Sequence, residues 1–189
     1  QAAEAVGNPR IHLVDTLTLS AGQAWPVLAA AKMQAAGKSL QETLEKLNEI
    51  HQATFTHFTL PDLKYLIAGG RISHLKGLLA SLLGIKPVIE VSKEDGKYYD
   101  KLKKRSFQKA IGGLTELALQ RFAEGSRLQV QICTAANPEG GQMLKEAMDR
   151  VFQVNWLPEF NLGTALGAHT GRGLVGMIYA REDALPQIP

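Results

Sequence analysis

Little in this sequence is exclusive, and its scarcities narrow the possibilities first. It has one cysteine, Cys133, in 189 residues, so no internal disulfide can staple it. That cysteine lies in the apolar run VQICTA, the setting of a buried strand residue rather than a nucleophile. Aromatic residues make up 6% of the chain and no nucleic-acid-binding motif accompanies them, so we expect no nucleic-acid partner. No uncharged apolar run approaches the roughly 18 residues of a membrane-spanning helix, and at most transient membrane contact is expected. The opening QAAEAVGNPR has no basic region followed by an apolar stretch, and so no secretory signal. It lacks Met and reads as the tail of a helix entered part-way. We expect a cytoplasmic protein.

What is present suits a globular protein: 45% hydrophobic and 21% charged residues, with a net charge of +3. Residues 11–14, IHLV, read as a buried strand ending at Asp15. Ser20 or Gly22 opens a helix closed by Gly37, and Ser39 with Glu42 forms a capping box for a second. Residues 54–60 alternate as a strand. A helix from Pro61 stops at Gly69-Gly70, and an amphipathic segment, RISHLKGLLASLLG, follows. KPVIEVS and KYYDKLK read as strands joined by the EDGK turn. A helix from Ser106, the strand RLQVQICTA and a helix opened by Asn137-Pro138 come next. A strand near 159–165, the glycine-rich AHTGRGLVG and a final strand, VGMIYA, close the chain. The alternation predicts an α/β protein with a mixed sheet.

The candidate site residues are few. His169 lies in a glycine-flanked loop, where an imidazole can donate to a carboxylate and glycines let backbone N–H groups approach an anion. Thr170 adds a hydroxyl and Gly171 a flexible backbone. A turn-ordering histidine is the alternative, and the residues alone leave both open. Arg71 follows two glycines; its guanidinium either meets an acidic group or caps the preceding helix. Lys101, Lys103, Lys104 and Arg105 form a solvated basic face or a docking surface, which Arg172 would extend. Asp15 is read as a turn cap. The histidines lack ligand spacing, so no metal site is expected. Neither a Walker loop nor a dinucleotide fingerprint is present, and no catalytic residue or cofactor is assigned.

Three segments, in order, carry a family resemblance: VDTLTLSAGQ (14–23), LKYLIAGGRISHLKGLLASLLGIKPVI (63–89) and LGAHTGRGLVG (166–176). Together they resemble the DegV family. The resemblance implies a two-domain α/β architecture with a mixed sheet in the C-terminal domain and an incomplete N-terminal domain. Residues 1–52 would finish the first domain and 53–189 form the second. It also implies a long-chain fatty acid as bound ligand, held in an apolar tunnel between the domains by His169, Thr170, Gly171 and Arg71. The protein would present the carboxylate to a fatty-acid kinase, docked through Lys103, Lys104, Arg105 and Arg172, with no chemical step of its own. The alternative is a phosphoryl-transfer enzyme, or its subunit, sharing the kinase-related fold. The sequence departs from the family pattern at Ala168 and Arg172, where Thr and Pro are usual, and at Thr16, where Ser is usual.

Overall fold

The structure is a computed structural model that describes residues 5–8, 10–71 and 84–185. Two helices in contact with each other precede the sheet, α1 (Ala21–Ala35) and α2 (Leu40–Ala53). Pro26 sits within α1 but near its start, and the capping box at Ser39 and Glu42 is formed in both directions. The sheet begins with β1 (Phe55–Thr59), followed by the short α3 (Lys64–Ala68). β2 (Lys86–Val91) and β3 (Tyr98–Lys104) form the expected hairpin, with Gly96 at φ +69° in its turn. Then come α4 (Phe107–Leu119), β4 (Arg127–Thr134), α5 (Pro138–Asp149), β5 (Gln153–Trp156) and β6 (Phe160–Asn161). The last elements are α6 (Thr164–Thr170), β7 (Val175–Arg181) and a 3₁₀ turn at Glu182–Ala184.

The sheet is mixed, in the order β3-β2-β1-β7-β4-β5, with β6 also pairing β4. The β4 pairs with β5 and β6 are parallel and the others antiparallel. Alternation divides its side chains between two cores. On one face Val88, Val130, Ile132, Val175, Met177 and Tyr179 meet Ile111 and Leu114 of α4 and Leu144 and Met148 of α5. On the other, Phe58, Ile89, Val91, Cys133 and Ile178 meet Trp25 and Ala29 of α1, Leu47 and Ile50 of α2, and Leu66 of α3. The Trp25 indole donates to Gln131 Oε1 at 2.8 Å, tying α1 to β4.

Three expectations are corrected. Residues 11–14 form no strand: Ile11, Leu13 and Val14 are 42%, 75% and 46% exposed, and no strand of the sheet lies beside them to supply a ladder. The strand near 159–165 shrinks to Phe160–Asn161, because Thr164 onward is helical. A strand unforeseen from the sequence, β5, forms the far edge. The leucine-rich run at 72–83 lies outside the described residues. Among the described residues no helix is long and apolar enough to cross a membrane.

Candidate functional site

His169 lies in the last turn of α6, not in a loop. Gly171, at φ +70°, ends that helix in a conformation that side-chain-bearing residues avoid. The helix packs on α3, and glycines set the closeness. A methyl group added at Gly69 would collide with His169 Nδ1, and one at Gly171 with the Tyr65 ring. The imidazole is thus pressed against the Gly69-Gly70 turn that leads to Arg71. Among the described residues the His169 imidazole makes no hydrogen bond.

Two expected features resolve differently. The Gly171 N–H donates to the Gly167 carbonyl at 2.8 Å and the Gly173 N–H to Ala135 at 2.6 Å. Neither amide is free for an anion, because the chain is helical up to Thr170. The Arg71 guanidinium donates to the Gly69 carbonyl at 2.5 Å, the helix-capping position. It is nonetheless close enough to the site to be felt there: burial raises the Tyr98 hydroxyl above its usual range, and the Arg71 charge offsets part of that rise. Thr170 is buried, its hydroxyl donating to the Leu166 carbonyl at 3.1 Å. Both acceptor lone pairs of that oxygen stay available among the described residues. Asp15 accepts from the Leu17 N–H at 2.9 Å, as a turn cap does.

Behind Thr170 lies a small apolar space of about 20 Å³, bounded by Leu19, Phe58, Tyr98, Leu166, Leu174 and Ile178. Ser20 and Cys133 also reach it. Ser20 is the residue that sequence reading assigned only to a helix start. Its backbone is at φ 60°, ψ −135°, it makes no side-chain cap, and its buried Oγ makes no hydrogen bond of ordinary geometry, with only the Cys133 thiol interacting with it. A strained residue whose hydroxyl lacks a well-formed hydrogen bond at an apolar space points to function. Its sequence signals are its place before a helix and within VDTLTLSAGQ, one of the segments that carry the family resemblance. Burial pushes the Cys133 thiol up to about 12, so it stays a neutral wall residue.

The basic residues lie at the same end of the sheet. Lys104 stands opposite Lys86, and Lys86 Nζ donates to the Pro61 carbonyl at 2.5 Å. Pro61 in turn packs on Gly173, the neighbour of Arg172. Lys103 pairs with Asp100 at 3.3 Å and Lys104 with Glu116 at 2.5 Å, while Arg105 and Arg172 are exposed. Among the described residues no group of three His, Cys, Asp or Glu side chains is placed to hold a metal.

A mixed sheet with helices on both faces defines an α/β protein. Residues 1–182 match the family model described as "Uncharacterised protein, DegV family". The chain belongs to the DegV family. It is 30% identical over 180 residues to a DegV domain-containing protein of Deinococcus radiodurans, covering 95% of this chain and 62% of that one. A Thermus thermophilus structure described as fatty acid binding of a DegV family protein is 26% identical with TM-score 0.83, covering 95% and 64%. The Streptococcus pneumoniae Fatty Acid Kinase (Fak) B3 protein, loaded with linoleic acid, shares the fold at 21% identity and TM-score 0.77, covering 95% and 63%. The chain therefore spans rather less than two thirds of the length of these relatives.

Proposed function

We propose that this chain binds a long-chain fatty acid on the α1–α6 face of the sheet and presents its carboxylate to a partner kinase, with no catalysis of its own. The observation that carries this reading is the placement of His169 against the Gly69-Gly70 turn, next in the chain to Thr170, which lines an apolar space that Ser20 also reaches. The His169 imidazole donates to the carboxylate, Thr170 lies beside it, and Arg71 supplies a charge that can swing from its helix cap. Gly171 contributes closeness of packing rather than a free amide.

An acyl chain is far larger than about 20 Å³, the scale of one water. The tail therefore lies along Leu19, Phe58, Leu162, Leu166 and Ile178 as along one wall of a tunnel. Longer relatives have additional chain with which to form the other wall. The domain division at residues 52 and 53 belongs to the same proposal, as does a cytoplasmic setting, where such a kinase would meet its lipid. Lys103, Lys104, Arg105 and Arg172 form the docking rim for the kinase, because all lie at the carboxylate end of the sheet.

Native mass spectrometry of gently purified protein tests the reading. An adduct of fatty-acid mass that disappears on denaturation and lipid extraction is expected, and palmitate should reload the stripped protein. His169→Ala should weaken palmitate by roughly 1–3 kcal/mol, the worth of a charge-assisted bond. Failure of stripped protein to take up palmitate would remove the proposal. ATP turnover by the protein alone would replace it with phosphoryl transfer.

A further inference from the structure

At the opposite end of the sheet from His169 lies a cleft of about 330 Å³, more than ten times the volume behind Thr170. It opens between the start of β1, the end of β2, the start of β3 and the turn after α4. Three cations line it, Lys93, Lys101 and Arg121, together with two carboxylates, Glu90 and Glu94.

Glu90 is fully engaged. It receives the Arg121 guanidinium, lies 3.0 Å from His57 Nε2 and 3.4 Å from Lys101 Nζ, and these partners hold its carboxyl at about 2. Because an ionised carboxylate only accepts, the His57 proton sits on Nε2 and leaves the buried Nδ1 as an unpartnered acceptor. Glu94 is exposed and joins no ion pair among the described residues.

Lys93 is the anomaly. It is half-buried, yet among the described residues it pairs with no carboxylate. It donates to the Gln52 carbonyl, and its ammonium stands 3.9 Å from the centre of the Phe55 ring. The Arg121 guanidinium stands 4.2 Å from the same ring. One aromatic ring thus holds two cations at the cleft wall, and only one of them, Arg121, is paired with a carboxylate. A merely solvated lysine would extend into water instead.

We infer that this cleft is a binding site for a phosphoryl anion, held by Lys93, Lys101 and Arg121 with Glu90 fixing the guanidinium. A dianion suits the crowded cations better than a single carboxylate, and the cleft has room for a small ester group. Free phosphate and a phosphomonoester share this chemistry. The inference is independent of fatty-acid binding, since no residue is common to the two sites.

Amide NMR of the full chain decides it. Inorganic phosphate, titrated against sodium chloride at matched ionic strength, should produce saturable shifts at Ser92, Lys93 and Lys101. Glycerol phosphate in a second titration separates the sources: tighter binding assigns a phosphomonoester, and equal binding assigns free phosphate. Arg121→Gln strips the half-buried Glu90 of a partner and endangers the fold, so the exposed Lys101→Gln and the ring-stacked Lys93→Gln are the variants of choice. Each should weaken phosphate at least tenfold with unchanged spectra elsewhere. Non-saturating shifts, the same shifts with chloride, or affinity unchanged in Lys93→Gln would overturn the inference.

Discussion

The two faces of the sheet differ in how completely they are filled. Against α4 and α5 the side chains are large and closed to solvent, with Leu114, Leu128, Leu144, Met148, Met177 and Tyr179 all at 0% exposure. Against α1, α2 and α3 large side chains are closed as well, with Leu60, Leu66, Ile89 and Ile178 at 0% exposure. This face differs in what borders its core: a serine at positive φ and a small apolar gap beside Thr170. Val27 and Leu28 of α1 turn outward, at 61% and 62% exposure. Both faces hold the fold together, and the second also keeps an unfilled space.

The largest test of that contrast is truncation on each side. Leu114→Ala should cost roughly 2–5 kcal/mol in urea unfolding, because it empties a filled site. Leu28→Ala should change stability by less than about 0.5 kcal/mol. Equal losses would break the comparison. Next is Gly171→Ala, which forces an L-residue to φ +70° and drives a methyl group into Tyr65. A loss of more than about 1 kcal/mol is expected. Gly163→Ala, at φ −62° with open space around it, should be close to neutral, and calorimetry of both separates conformational strain from general helix effects.

Much of the fold was legible in the sequence. Alternation in RLQVQICTA marks β4, the apolar run VGMIYA marks β7, and the Ser39–Glu42 spacing marks the start of α2. The surroundings of α6 were not. GTALGAHT reads as the end of a strand near 159–165 running into the glycine-rich AHTGRGLVG, yet Thr164–Thr170 is helical and packs on α3. IHLV has strand-like residues but no neighbouring strand. QVNW is too short and too polar to announce β5. His169 stood out by its chemistry, whereas its contact with Gly69, a hundred residues away, has no local signature. The Lys93–Lys101–Arg121 cleft was hidden for the same reason. Lys101 had been grouped with Lys103 and Lys104, but the fold turns it towards Glu90.

Acid sharpens the contrast further. Burial holds the His57 pKa below its usual value, so below about 6.5 the unfolded chain takes up a proton that the folded chain refuses. Glu90, held at about 2, adds stability that is fully present above its ordinary value of 4.5 and is lost as pH falls towards 2. Both effects make the protein less stable in acid. Urea midpoints at pH 7.5, 5.5 and 4 should therefore fall in sequence. His57→Gln should flatten the first interval, and an unchanged slope would remove His57 from the account. The smallest effect belongs to Ser20→Ala. Its hydroxyl makes no hydrogen bond of ordinary geometry, so stability should move by no more than about 0.5 kcal/mol. Palmitate binding should weaken measurably by fluorescence displacement, and the reverse pattern would make Ser20 structural.

The central claim is that the α1–α6 face is a fatty-acid wall with its carboxylate at His169. Amide and side-chain NMR with palmitate labelled by ¹³C at the carboxyl addresses it most directly. We expect the labelled carbon to show contacts to His169 and Thr170, with saturable shifts running through Ser20, Leu174 and Ile178. Contacts confined to the α4–α5 face, or no saturable shift on the α1–α6 face, would contradict it.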